Sequence, residues 1–179
     1  MEKNALTYYN LSTVMFAQDK KNEAFDFAKK AYDNKEKTSS EVKSNISYNL
    51  GLLNQELGNE NEAIKLYQET LNLDSNHVKA NTNLGMILLT KNQPDAAIAL
   101  LLKAYKNDSK NFEVNNNLGS AYRDTGDFEN SVRFYKNALD IEPENLTVKE
   151  NLAKSYTSAK DYKNARLIYE ELVKKQQTE

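Results

Sequence analysis

The sequence predicts an all-α protein built from repeated antiparallel helix pairs, and three observations predict it. One pattern recurs at a fixed interval: Asn-Leu stands at Asn49, Asn83, Asn117 and Asn151, each 34 residues after the last, and a period of this size marks stacked-repeat architectures. Around each asparagine, apolar residues return at helical rather than strand spacing. Each apolar stripe then breaks at a short polar stretch and resumes, so every unit reads as helix, turn, helix.

Taken in order, the units span 5-43, 44-77, 78-111, 112-145 and 146-179. The first, NLSTVMFAQDKKNEAFDFAKKAY, starts at Asn10, 39 residues before Asn49. It departs from the others, with Ser12, Met15 and Ala28 where the fourth unit has Gly119, Tyr122 and Tyr135. The additional residues behind that larger offset include Thr38-Ser-Ser-Glu41, a capping-box spacing. The second unit's first helix is therefore expected to start early, near Ser39, and to run long. In the fourth unit Val114, Leu118, Ala121 and Tyr122 make one helical stripe, and Val132, Tyr135, Ala138 and Leu139 the next. Gly58, Asn92 and Gly126 occupy the break, where a chain leaving a helix adopts positive φ. Asn59, Asp127 and Asp161 follow it as caps for the second helices. Gly51, Gly85 and Gly119 fall inside first helices, opposite the small residues Ala63, Ala97, Ser131 and Ala165 of second helices, a combination that lets two helices approach closely. Pro94 opens a helix and Pro143 follows one. No glycine remains for a phosphate-binding loop.

The columns Leu118-Gly119, Tyr122, Gly126, Ser131, Tyr135, Ala138 and Pro143, matched in the second, third and fifth units, resemble the tetratricopeptide repeat family. The resemblance covers essentially all of 1-179, read as a single solenoid. It implies a right-handed α-solenoid whose first helices line a concave surface, and a role in holding protein partners.

Composition narrows the function. Lys and Arg (24) nearly balance Asp and Glu (26), for a net charge of −2, so no basic excess points to nucleic acid. Cysteine is absent and histidine occurs once, which removes thiolate metal sites and leaves no set of tuned acids and bases for catalysis. No enzyme activity and no cofactor are expected. His77, between the second and third units, reads as a solvated linker residue. The acidic pairs Glu170-Glu171 and Asp140 with Glu142 read as surface charge. Tyr67, Tyr135 and Tyr169 share one column and Tyr122 and Tyr156 another, as packing residues do. The first residues lack the apolar core of a secretory signal, and no apolar run reaches the length of a membrane span. With Met1 as a native start, the cytoplasm is the default location.

The first helices also carry a polar stripe at spacings 0, 4, 7 and 11, one helix face: Glu113, Asn117, Ser120 and Asp124 in the fourth unit, Thr147, Asn151, Lys154 and Ser158 in the fifth. In the family's geometry that face looks into the groove. Asn10, Asn49, Asn83, Asn117 and Asn151 then form a ladder whose amides can each bind a peptide unit's C=O and N–H, similar to the ladders of armadillo-type peptide receptors. The same amide can instead bond a neighbouring helix, and the two readings stand side by side. Toward the N-terminal half, Tyr48, Leu52, Met86 and Leu89 suggest an apolar anchor for the bound segment; Ser120 and Lys154 make the later groove polar. The two-carboxylate clamp of chaperone-binding members is absent, because Lys79 and Asn83 supply its spacing without an arginine. At the C-terminal end Arg166 and Lys175 replace Val132 and Ile141 while Leu167, Ile168 and Val173 remain apolar. A monomer or weak dimer follows, serving as an adaptor or, alternatively, as an assembly scaffold or a regulatory module of a larger protein.

Overall fold

The computed structural model describes residues 2–176. Among these, every regular element is helical: α1 (Glu2–Ala17), α2 (Lys21–Asp33), a 3₁₀ turn (Lys35–Lys37), α3 (Ser40–Glu56), α4 (Glu60–Leu73), α5 (Val78–Thr90), α6 (Pro94–Asn107), α7 (Phe112–Asp124), α8 (Phe128–Ile141), α9 (Leu146–Ser158) and α10 (Tyr162–Gln176). The chain divides into two compact units, one ending at Leu84 and one beginning at Gly85.

In the first unit, α1 packs on α2 and α3 on α4. Ala24, Ala28, Leu50, Leu53 and Leu66 form one buried cluster, and Ala5, Ala31 and Ile46 another. The expected close approach is present: a Cβ on Gly51 would lie 3.0 Å from the Tyr67 ring, which is fully buried. α1 solves the same problem differently. Ser12, in the glycine column, is buried and donates to the Ala24 carbonyl at 2.8 Å, so a hydroxyl fills the space that Ala28 leaves where Tyr67 and Tyr135 stand in other units.

In the second unit, Tyr135 and Ala138 of α8 pack with Val148, Leu152 and Tyr156 of α9 and Ala165 of α10. Ser131 donates to the Gly119 carbonyl at 2.7 Å and lies 2.8 Å from the Ser155 hydroxyl, tying α7, α8 and α9 together. Tyr122 stacks on Phe134 with ring centroids 5.5 Å apart, and burial pushes the Tyr135 hydroxyl pKa up.

The turn column behaves as expected and extends further. Gly58 and Gly126 have φ of +81° and Asn92 of +57°, and Asp19 and Lys160, in the same column, adopt +59° and +61°. Asp127 and Asp161 cap their helices by accepting from the backbone N–H groups of Asn130 and Asn164. Asn59 does not: its side chain donates to Asn54 Oδ1 instead. α3 starts at Ser40, but its cap is Ser39, which accepts from Val42 N–H at 3.3 Å. Thr38 is turned back onto the Lys35 carbonyl, because the preceding residues wind into the 3₁₀ turn.

His77 is a correction. It is half-buried rather than solvated, its ring lies 4.9 Å from that of Tyr48, and its Nδ1 accepts from Ala80 N–H at 3.2 Å, capping α5. Burial lowers the imidazole pKa below its ordinary 6.5, with Asp74 opposing. The unfolded chain then takes up the proton at a higher pH than the folded chain. Stability is complete above pH 6.5 and declines as pH falls below it. In His77→Asn, which keeps a side-chain acceptor at the cap, that acid-side decline should disappear. Urea titrations at neutral and mildly acidic pH check this, and equal pH dependence in the two proteins would reject the assignment.

Candidate functional site

The five asparagines that share one column do not share one environment. Asn10 is exposed on α1, and its carbonyl accepts from Thr13. Asn49 departs from the groove expectation: it is 7% exposed and its amide donates to Ser12 Oγ at 2.8 Å, completing the chain Asn49, Ser12, Ala24 carbonyl. Asn83, half-buried, donates to Tyr67 OH at 3.1 Å and Tyr48 OH at 3.4 Å. Tyr67 OH in turn donates to Gln55 Oε1 at 2.7 Å. Burial pushes the Tyr67 hydroxyl pKa up, against the bond from Asn83. Asn151 accepts from Arg123 at 3.3 Å. Asn117 is half-buried and makes no side-chain hydrogen bond among the described residues.

In the first unit Tyr48 borders an open cleft of about 340 Å³, with Tyr9, Asn45, Asp74, His77 and Lys79 among its walls. The cleft is assembled from α1, α3 and the turn leading into α5. Its chemistry is mixed: two phenol rings and an imidazole, the two carboxamides of Asn45 and Asn76, and one charge of each sign. Leu52, on the next turn of α3, is half-buried. In the second unit Met86 is 38% exposed and Leu89 half-buried. The structure therefore joins Tyr48 and Asn83 directly, and leaves Asn10 and Asn117 with open amides.

Two further asparagines escaped sequence reasoning. Asn81 and Asn115 are fully buried, and each donates to two carbonyls of the turn preceding its helix, Ser75 and His77 in one case and Ser109 and Asn111 in the other. They recur 34 residues apart, a signal that was available.

No group of three or more metal-ligating side chains comes together among the described residues, and no described helix is long and apolar enough to cross a membrane.

Sequence profiles of the tetratricopeptide repeat match residues 42–110, 112–145 and 151–177. No curated protein matches the chain in sequence. Among solved structures, MamA (residues 41 to end) of Desulfovibrio magneticus RS-1 superposes with a TM-score of 0.82 at 20% identity, covering 98% of this chain and 97% of that one. A MamA structure designated AMB-1 gives 0.77 at 21% identity, covering 95% and 90%. At this level of identity the likeness concerns the fold.

Proposed function

The chain belongs to the tetratricopeptide repeat family, and from that premise we propose that it is a non-catalytic interaction module that holds an extended segment of a protein partner on its odd-numbered helices. The observation that carries this reading is the cleft beside Tyr48. It presents aromatic faces together with carboxamides and both signs of charge, the mixture that grips a peptide's side chain and backbone at once. Tyr48 and Leu52 serve as the anchor in the first unit, with Met86 and Leu89 as apolar contacts in the second.

The asparagine ladder contributes unequally. Asn10 and Asn117 keep whole amides for a peptide, and Asn83 keeps its Oδ1. The Asn49 amide is committed to packing, and the Asn151 oxygen is shared with Arg123. Probing an immobilised peptide array with the purified chain, then measuring the best peptide by fluorescence anisotropy, tests this. Tyr48→Ala should weaken binding tenfold or more, as loss of a central aromatic does. Asn117→Ala should weaken it about two- to tenfold, the worth of one net hydrogen bond, with no fall in the urea midpoint because its amide bonds nothing among the described residues. Affinity indifferent to both substitutions would defeat the proposal.

A further inference from the structure

Among the described residues, two helix faces lack the neighbour that the same columns have elsewhere. In the second unit, α8 presents Tyr135 and Ala138, both fully buried against α9. In the same columns of α10, Tyr169 is 38% exposed and Leu172 half-buried. With Leu146, Thr147, Glu150 and Val173 they line an open cleft of about 340 Å³. Val173 is itself 53% exposed. A helix that covers this face as α9 covers α8 needs apolar or small residues at the columns of Val148, Leu152 and Ser155.

The chain carries such a helix with its corresponding face open. In the column of Ser155, residues Leu53, Ile87 and Ala121 are at most 3% exposed, and Ser155 meets Ser131 of the preceding second helix. Val14 of α1 stands in that column and is 48% exposed. Leu11 fills the column of Leu152, and Thr7, a short side chain, that of Val148. In a protein with 28% charged residues, α1 carries no formal charge from Asn4 to Gln18. That is the composition of a helix covered on both sides, as in α3, where Ser44 to Gln55 is also uncharged. The charged group lining the cleft, Glu150, is already paired with Lys154 at 2.7 Å, and of its neighbours Lys149 pairs with Glu171 at 2.6 Å and Lys175 with Glu144.

We propose that a second copy of this chain lays its α1, through Leu11 and Val14, on the α9–α10 face around Tyr169 and Val173, head to tail. The contact repeats the α8–α9 packing between copies. It joins two different faces, so it is heterologous, and each copy keeps one face of each kind for a further copy. Association therefore rises with concentration.

Sedimentation velocity of the full chain from micromolar to near-millimolar concentration should show the average mass rising. Val14→Glu and Tyr169→Glu, both at exposed positions, should each weaken self-association at least tenfold, with the helical circular dichroism of the parent. Val173→Lys repeats the second test at a more exposed site, should Tyr169→Glu fold poorly. An equimolar mixture of Val14→Glu and Tyr169→Glu retains one good face on each chain, so it should form a one-to-one dimer and nothing larger. A parent chain that stays monomeric throughout overturns the proposal. So does either variant associating like the parent, or a mixture that does not pair.

Discussion

Gly119→Ala should cost the second unit about 1–3 kcal/mol, the range for forcing one methyl into a packed interior, read as a lower urea midpoint. The added Cβ would stand 2.7 Å from the Tyr135 ring, which is fully buried and has no room to retreat. The chain itself illustrates the constraint, because the two columns vary together. Gly51 faces Tyr67, Gly85 faces Leu101 and Gly119 faces Tyr135. Where the first column holds Ser12, the second holds Ala28. Where it holds Ala153, the second holds Tyr169, which is 38% exposed on the uncovered face of α10 and so is not pressed into the close approach. The ring is therefore the partner to test. Tyr135→Ala alone should cost about 3–5 kcal/mol through the cavity it leaves. In that background Gly119→Ser, which recreates the Ser12 and Ala28 combination, should cost much less than in the parent, giving a coupling of about 1 kcal/mol or more. An equal cost in both backgrounds would assign the glycine to backbone flexibility instead of the close approach.

That co-variation also explains why so much of the fold was legible. A repeat states the same packing solution several times, so the glycine, alanine and tyrosine columns emerge by self-comparison, and the helix pairs follow. What repeats in sequence does not always repeat in environment. The asparagine column reads as one ladder, yet Ser12, the two tyrosine hydroxyls and Arg123 claim three of its members differently. Those neighbours lie outside the column, and Ser12 and Arg123 are not repeated in columns of their own. His77 looked like a loop residue because its covering ring, Tyr48, comes from another helix. Lys160 gave no sign of positive φ, since glycine, asparagine and aspartate are the residues that advertise it, and Asp19 gave only a weak one.

The least legible feature should also be among the most costly to break: Glu69→Ala should destabilise the first unit by about 1–3 kcal/mol, below the full cost of breaking a buried ion pair because Lys35 is buried while Glu69 is a third exposed. The residues inserted after the first repeat wind into the 3₁₀ turn and deliver Lys35, 6% exposed, against α2, α3 and α4. Its ammonium lies 2.8 Å from Glu69 Oε1 and 3.1 Å from the centre of the Tyr32 ring. Ser47 donates to the same carboxylate at 2.9 Å and Tyr32 OH to its other oxygen. One acid on α4 thus gathers three elements, in a single copy that no self-comparison could find. Removing it strands a desolvated ammonium, whereas Lys35→Met with Glu69→Leu removes both charges and should recover most of the loss. The pH dependence supplies a second signature. Burial raises the Glu69 pKa, but the bonds from Lys35, Tyr32 and Ser47 outweigh it and hold the carboxyl below its ordinary 4.5. Its stabilisation is complete above that value and is lost as pH falls through the depressed folded-state value. Glu69→Gln keeps the shape without the charge, so its urea midpoint should fall less steeply on acidification than the parent's. If Glu69→Ala and the double variant prove equally unstable, the network matters through its packing and not through its charge.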